Sequence, residues 1–215
     1  MTTPKGKFIS IEGVEGAGKS TARQFIQDYL ENAHISLVAT REPGGTEIAE
    51  EIRKVLLYPA TAEKIQPKTE LLLMFASRAQ LVTQVILPAL YSGKWVLSDR
   101  YVDASYAYQG GGREIPEADI HALDKMIVGP HYPNLTLLLD VPVEIGLKRT
   151  EARGSVKDRI EHERVEFFTR VREAYLARAK QDPERIKIID ASRDTISVNS
   201  QIASILDEFM VSVTS

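Results

Sequence analysis

The sequence contains no cysteine, no long uninterrupted apolar run and no excess of basic charge. Without cysteine the chain forms no disulfide, thiolate metal site or cysteine nucleophile, which suits a reducing compartment. No apolar run approaches the ~20 residues that span a bilayer, and the polar start, Met1 to Lys7, is no signal peptide. The 27 basic and 30 acidic residues give a net charge of −3, which disfavours binding to nucleic acid through phosphate contacts. We therefore expect a cytoplasmic protein whose partners include neither a membrane nor a nucleic acid.

The residues that are present fit one α/β domain. The chain has 215 residues, 43% of them hydrophobic, which is enough for one well-packed core and short for two. Short apolar runs alternate with longer amphipathic ones, which predicts βα units around a parallel sheet with helices on both faces. Strands are predicted at residues 8–12, 37–40, 95–98, 135–141 and 186–190. Helices are predicted at residues 20–32, 46–57, 69–90, 117–128, 143–150, 159–181 and 195–210.

Residues 13–20, Gly-Val-Glu-Gly-Ala-Gly-Lys-Ser, form the first motif that carries chemistry. They match G-x-x-x-x-G-K-[ST] between a predicted strand and a predicted helix, the context that a phosphate-binding loop requires. The glycines let N–H groups face phosphate oxygens, and the next helix adds its positive N-terminal end. In such a loop Lys19 reaches the β- and γ-phosphates and Ser20 binds Mg²⁺. The predicted ATP-binding residues are Gly13, Val14, Glu15, Gly16, Ala17, Gly18, Lys19 and Ser20.

Asp99 and Arg100 follow the third predicted strand directly. In an open parallel sheet, ligands bind outside the carboxyl ends of the strands, so both side chains face the same crevice as the phosphate loop. A carboxylate in that place can hold Mg²⁺ through water or accept a proton, and a guanidinium can clamp a phosphate. A plain ion pair at the end of the strand is the alternative interpretation.

Three further segments each have two interpretations. Residues 41–46, Arg-Glu-Pro-Gly-Gly-Thr, predict a turn before a helix that Thr46 caps, or part of a site at the end of the second strand. Residues 109–113, Gln-Gly-Gly-Gly-Arg, are a flexible joint, which the glycines alone favour, or a point of close backbone approach. The basic stretch 148–159 is a solvated charged face or a lid that closes over ATP, and the phosphate loop favours the lid.

Five blocks of the sequence together resemble bacterial thymidylate kinases, in the order and spacing of that family. They are Gly-Val-Glu-Gly-Ala-Gly-Lys-Ser, Arg-Glu-Pro-Gly-Gly-Thr, Phe-Ala-Ser-Arg, Ser-Asp-Arg-Tyr and Tyr-Gln-Gly-Gly-Gly-Arg. The similarity runs from about residue 7 to residue 210. It implies a three-layer P-loop kinase fold with a five-stranded parallel sheet, in a single domain (1–215) with a lid at about 149–159. It further implies a homodimer that uses Mg²⁺ and transfers a phosphoryl group from ATP to dTMP, giving ADP and dTDP.

The resemblance also implies roles for single residues. It gives the substrate-binding residues Glu15, Pro43, Phe75, Arg78, Arg100, Ser105, Tyr108 and Gln109. It gives the catalytic residues Lys19, Asp99, Arg100 and Arg153, and the metal ligands Ser20 and Asp99. Arg100 would clamp the phosphate of dTMP. Tyr108 would lie against C2′ of the deoxyribose, where it obstructs a hydroxyl.

The base pocket is the part of the resemblance where this chain departs from the family. Phe75 would stack on thymine and Arg78 would hydrogen-bond its carbonyl, with Pro43 near the methyl group. Many members carry the aromatic one position earlier, where this chain has Met74. Without the resemblance, the apolar run 71–75 favours a core position for Phe75.

The lid is predicted to supply positive charge that the phosphate loop lacks. No position between Gly13 and Gly18 is basic, so Lys19 is the loop's only cation against the negative transition state. Family members with such a loop carry a basic lid instead. Arg153, directly before Gly154, is therefore the predicted arginine finger.

Two other functions compete with this interpretation. A small P-loop kinase for a different nucleotide or a deoxynucleoside also fits Asp99, Arg100 and the lid. A nucleotide-binding regulator without turnover fits the phosphate loop alone. A GTPase is disfavoured because no Asn-Lys-x-Asp segment for guanine recognition is present, and 24.0 kDa is small for an ATP-driven motor.

Overall fold

A parallel sheet of five strands forms the centre of the protein, in the order β2-β3-β1-β4-β5. The computed structural model describes residues 6–152, 154 and 158–214. The strands are β1 Phe8–Glu12, β2 Leu37–Arg41, β3 Trp95–Asp99, β4 Leu135–Asp140 and β5 Ile186–Asp190. All five predicted strands are confirmed to within one residue at each end.

Nine α-helices and two π-helical turns surround the sheet in the described part of the chain. The helices are α1 Lys19–Asn32, α2 Glu47–Leu57, α3 Pro67–Leu81, α4 Leu87–Tyr91, α5 Val102–Ser105, α6 Glu117–Ile127, α7 Val143–Ala152, α8 Val165–Gln181 and α9 Thr195–Thr214. The π-helical turns are Val82–Ile86, between α3 and α4, and Tyr106–Gly112, after α5. Thr46 caps α2 as predicted, because its Oγ1 accepts a hydrogen bond from the backbone N of Ala49 at 3.2 Å.

Hydrophobic side chains cover both faces of the sheet, which gives the predicted three-layer α/β architecture. Successive residues of β1 alternate between the faces, as the pleat requires. Ile9 belongs to the core cluster that contains Ile26 of α1 and Val171 of α8. Phe8 belongs to the cluster on the other face, with Phe75 of α3.

The glycine-rich segment is helical and tightly packed, so its interpretation as a flexible joint is wrong. Gly110 to Gly112 lie in the second π-helical turn, which packs against α8. A Cβ at Gly111 would lie 2.7 Å from the carbonyl oxygen of Arg170. A Cβ at Gly112 would collide with the ring of Phe167. The glycines therefore allow close backbone approach.

Helix α8 begins at Val165 rather than at the predicted residue 159. The residues before it form turns that are tied to another part of the protein. The backbone N of Arg159 donates to the carbonyl oxygen of Leu57 at 3.1 Å. Asp158 Oδ1 accepts from the backbone N of Ile160 at 2.8 Å. These bonds compete with helix formation.

The continuous helix Pro67–Tyr91 is long and apolar enough, by length and composition, to cross a membrane. Charged residues, including Glu70 and Arg78, interrupt its apolar sequence, so the helix does not appear as one long apolar run. Glu70 and Arg78 on this helix are both buried and make ion pairs inside the protein. Because it also supplies Phe75 and Leu81 to the core, we interpret it as a core helix.

Candidate active site

The phosphate loop joins β1 to α1 at the carboxyl edge of the sheet. Lys19 Nζ donates to the carbonyl oxygens of Gly13 at 3.0 Å and Val14 at 2.9 Å, so the lysine folds back over its own loop. Gly16 has a φ of 71°, and a Cβ there would collide with the backbone of Gly146. Burial, followed by the charge of Arg100, lowers the pKa of Lys19 to about 8.

Arg100 lies directly beside this loop, at the end of β3. Its Nη1 donates to the carbonyl oxygen of Gly13 at 3.0 Å, and its Nη2 donates to Glu15 Oε1 at 2.9 Å. Tyr108 Oη donates to Glu15 Oε2 at 2.6 Å, and its ring centroid lies 4.6 Å from the guanidinium carbon of Arg100. Arg100 itself has a φ of 70°, which places its backbone in the left-handed region. Glu15, Arg100 and Tyr108, three of the predicted substrate-binding residues, therefore form one connected group.

One cavity of about 390 Å³ collects most of the predicted site residues. Those that line it are Glu15, Gly16, Gly18, Lys19, Ser20, Pro43, Asp99, Arg100, Tyr108 and Gln109. Gly13 and Val14 are connected to the cavity indirectly. Their carbonyl oxygens accept hydrogen bonds from Lys19, which lines it. Arg153 and residues 155–157 of the predicted lid lie outside the described residues.

The structure places Met74, not Phe75, on the cavity wall. Phe75 is 2% exposed and packs in the core between α3 and the sheet. Its ring centroid lies 4.6 Å from the guanidinium carbon of Arg78. The predicted stacking role of Phe75 is therefore corrected, because the helix turns this side chain into the core and away from the cavity.

Arg78 and Ser105 lie behind the cavity wall rather than on it. Arg78 is fully buried and donates to both carboxylate oxygens of Glu42, with the Nη2–Oε2 distance at 2.7 Å. Its Nη1 donates to Ser105 Oγ at 3.0 Å. Glu42 does line the cavity. In this conformation Arg78 supports Glu42, which the sequence analysis did not single out.

A buried carboxylate on α3, Glu70, is a second residue that sequence reasoning missed. Gln109 Nε2 donates to Glu70 Oε1 at 2.8 Å, and Arg159 Nη2 donates to Glu70 Oε2 at 2.7 Å. Arg113 makes an ion pair with the same carboxylate at 3.0 Å. The sequence does contain a signal for Glu70. It lies four positions before Met74, and helical spacing places the two residues on the same face of α3.

Glu12, at the end of β1, is a third residue that sequence reasoning missed. Its Oε1 accepts from the backbone N of Tyr101 at 2.7 Å, and its Oε2 accepts from Tyr175 Oη at 2.6 Å. Burial, with a smaller contribution from the charge of Asp103, raises the pKa of Glu12 to about 8. Tyr175 Oη also accepts from Arg100 Nη1 at 3.3 Å, so Tyr175 connects Glu12 to Arg100.

A second cavity, of about 300 Å³, adjoins the first at the phosphate loop. Gly18, Thr21 and Arg149 line both cavities. Its far wall is the loop after β5, including Arg193 and Asn199 at the start of α9. The rule that ligands bind at the carboxyl ends of parallel strands points to this loop, although the residues predicted for the site at strand ends follow only the first three strands.

Comparisons with known proteins agree on one family. The sequence matches the thymidylate kinase family over residues 11–202. A thymidylate kinase of Ruthia magnifica is 52% identical over 94% of this chain and 98% of the relative. One of Chromohalobacter salexigens is 51% identical over 96% of this chain and 98% of the relative. The crystal structure of thymidylate kinase from Ehrlichia chaffeensis matches with a TM-score of 0.75 at 30% identity, over 94% of this chain and 99% of that one.

Proposed function

The chain belongs to the thymidylate kinase family and is a dTMP kinase, and we propose how its residues share the transfer of a phosphoryl group from ATP to dTMP. One observation carries this proposal. A single cavity runs from Lys19 and Ser20 at the phosphate loop, past Arg100, to Met74 and Gln109. Lys19 and Arg100 offer cations to the phosphate of a nucleotide, and the thioether of Met74 and the amide of Gln109 offer contacts to its base.

ATP binds through the phosphate loop and the second cavity. The loop N–H groups and the start of α1 bind its phosphates, and Lys19 exchanges the carbonyl oxygens of Gly13 and Val14 for phosphate oxygens. The second cavity shares Gly18 and Arg149 with the first. It therefore lies where the base of an ATP held by this loop would extend.

dTMP binds in the first cavity with its phosphate toward Arg100. Glu15 and the Gly13 carbonyl hold the guanidinium in place before the substrate arrives, which lowers the ordering cost of binding. Tyr108 is fixed by its bond to Glu15 and lies against C2′ of the sugar. Pro43, Met74 and Gln109 contact the base, with Arg78 and Ser105 supporting that pocket from behind.

In the reaction, an oxygen of the dTMP phosphate attacks the γ-phosphorus of ATP, and the bond from that phosphorus to the β–γ bridging oxygen breaks. ADP leaves with the electron pair of that bond. Phosphoryl transfer leaves little covalent work to the protein, so positioning and neutralisation of charge dominate. Lys19 and Arg100 supply positive charge side by side, since both donate to the carbonyl oxygen of Gly13, and Arg153 of the lid segment supplies the third charge.

Ser20 and Asp99 fit a Mg²⁺ ion. Both line the cavity beside Lys19, and a hydroxyl with a carboxylate is a set of hard oxygen ligands. The described residues contain no cluster of three acidic or histidine side chains for a metal. Mg²⁺ suits this sparse set, because it keeps several waters and binds substrate phosphates. When bound, it neutralises phosphate charge.

The assembly and the location of the enzyme are also part of the proposal. Adjacent helices α2, α3 and α6 carry large exposed apolar side chains: Ile48 at 57%, Val55 at 51%, Leu72 at 57% and Met126 at 70%. Such side chains favour burial in a homodimer. We place a single-domain enzyme, with its lid at 149–159, in the cytoplasm, where cysteine-free composition and nucleotide substrates are both expected.

The proposal is tested by Lys19→Ala, with Lys54→Ala as the matched control. Lys54 is an exposed lysine paired only with Glu51 among the described residues. ADP release with ATP and dTMP should fall about 100-fold or more in Lys19→Ala, because a preorganised cation at the transferring group is lost. Lys54→Ala should keep wild-type turnover. Full activity of a folded Lys19→Ala enzyme would remove the phosphate loop from the mechanism.

A further inference from the structure

We propose that Glu70 determines which end of the Gln109 amide, its oxygen or its NH₂ group, is available to the base. Through this orientation Glu70 makes the pocket select thymine over cytosine. This inference rests on the proposed function, because it assumes that Gln109 faces the base of dTMP. It assigns Glu70, which lies outside the cavity wall, as a positioning residue for specificity.

In the described part of the chain, the hydrogen bonds to the carboxylate of Glu70 all come from donors. Its Oε1 accepts from Gln109 Nε2 at 2.8 Å and, at a longer 3.3 Å, from Arg113 Nε, and its Oε2 accepts from Arg113 Nε at 3.1 Å and from Arg159 Nη2 at 2.7 Å. Its side chain is 1% exposed. Although burial raises the pKa of this carboxyl, Arg113, Gln109 and Arg159 together lower it below its ordinary value. Glu70 is therefore an ionised group that can only accept hydrogen bonds.

An acceptor at this position fixes the orientation of Gln109. The amide must turn its NH₂ group toward Glu70, because its oxygen would otherwise meet a carboxylate oxygen. Gln109 Oε1 is then the free end, and it is buried without a hydrogen-bond partner. Gln109 lines the cavity and is 0% exposed to solvent, so a base that packs against it meets an acceptor without a hydrogen-bond partner among the described residues.

An acceptor in the pocket distinguishes the two pyrimidines. Thymine carries a hydrogen on N3, which can donate to Gln109 Oε1. Cytosine N3 has no hydrogen and is itself an acceptor, so it would leave the buried amide oxygen unsatisfied. Leaving a buried polar group without its partner is costly, and sites built on such a bond reject the analogue that lacks it.

Glu70→Gln should invert this arrangement. The new amide would keep its oxygen toward Arg113 and Arg159, which are both donors, and so direct its NH₂ group at Gln109. Gln109 would then flip to accept that bond and turn its own NH₂ group toward the base. The pocket would offer a donor, which suits cytosine N3 and opposes the N3–H of thymine.

The experiment measures kcat/KM for dTMP, dUMP and dCMP. In Glu70→Gln the dTMP:dCMP ratio should fall at least ~10-fold, the size of one lost hydrogen-bond preference. The dTMP:dUMP ratio should stay constant, because uracil has the same N3–H. A purely structural role in holding Arg159 and the lid would lower all three values together. An unchanged dTMP:dCMP ratio in a folded Glu70→Gln enzyme would overturn the inference.

Two further variants complete the test. Glu163→Gln removes the other carboxylate that pairs with Arg113 but touches neither Gln109 nor Glu70, so it should keep the wild-type ratio. Glu70→Gln/Gln109→Glu restores an acceptor-only group facing the base and should recover the preference for dTMP. If Glu70→Gln alone fails to fold, this double variant decides, since loss of the preference there would contradict the inference. A wild-type enzyme that does not prefer dTMP to dCMP would instead reject the proposed function.

Discussion

Arg100 Nη2 donates to Glu15 Oε1 at 2.9 Å, which joins the end of β3 to the middle of the phosphate loop. The loop that we propose to hold ATP and the arginine that we propose to clamp dTMP are therefore joined directly. Tyr108 joins the same group through its bond to Glu15 at 2.6 Å. In the proposed mechanism, these contacts set the distance between the phosphates of the two substrates before either substrate binds.

Arg100→Lys should weaken dTMP binding and slow transfer. Lysine cannot bond to Gly13, Glu15 and a phosphate in the fixed geometry of a guanidinium. We expect kcat/KM for dTMP to fall at least ~10-fold, the size of one charge-assisted hydrogen bond. Arg172→Lys is the control, because that arginine pairs with Asp140 and lies outside both cavities. Equal losses in the two variants would contradict the role of Arg100.

Tyr108 should control the discrimination between deoxyribose and ribose. Tyr108→Ala removes the ring that we propose lies beside C2′. The kcat/KM for dTMP, divided by that for its ribonucleotide analogue, should therefore fall. Tyr108→Phe keeps the ring and loses only the bond to Glu15, so it should largely retain the ratio. A ratio that stays constant in both variants would mean that Tyr108 is only a core residue.

Arg153→Ala should lower kcat by about 10³-fold or more, the effect of losing an arginine finger. The KM for dTMP should change little, because the interaction strengthens only in the transition state. Both constants are to be measured at saturating ATP, with the exposed Arg164→Ala as control. A large rise in KM with a normal kcat would make Arg153 a binding residue. No effect on either would leave the segment a solvated charged loop.

Glu12 should make the stability of the protein depend on pH. Its folded pKa of about 8 exceeds its ordinary value of 4.5, so the unfolded chain releases this proton at lower pH than the folded one. The contribution of this group to the free energy of unfolding is fully present below about pH 4.5 and is lost as pH rises toward 8. The loss amounts to at most about 1.4 kcal/mol per pH unit. Glu12→Gln removes this dependence. Urea unfolding of both proteins between pH 5.5 and 7.5 should therefore give diverging free energies, and parallel curves would contradict the prediction.

The strands and the phosphate loop could be predicted from the sequence because their signals are local. The run Leu135 to Leu139 is apolar apart from Thr136 because both faces of the sheet are covered, and the loop motif directly predicts a turn before a helix. The orientation of α3 could not be predicted in this way. Residues 71–75 are all apolar, so periodicity does not tell whether Met74 or Phe75 faces the cavity.

The contacts of Glu70 were also beyond reach, because they join residues far apart in the sequence. Arg159 is separated from Glu70 by 89 positions and Gln109 by 39. No local pattern encodes such a meeting. The role of the glycines at 110–112 could not be predicted for the same reason. Only the packing of α8 against them shows that a side chain at Gly111 or Gly112 would have no room.

The most direct test of the account is a coupled ADP-release assay with ATP and each of dTMP, dCMP, dAMP and dGMP. We predict a kcat/KM for dTMP that far exceeds the other three, because one cavity joins the phosphate loop, Arg100 and Gln109, the residue that we propose as the acceptor for the thymine N3–H. Equal turnover of all four monophosphates, or a preference for another one, would contradict the assignment of the base pocket. Binding without any ADP release would identify a regulator and contradict the account as a whole.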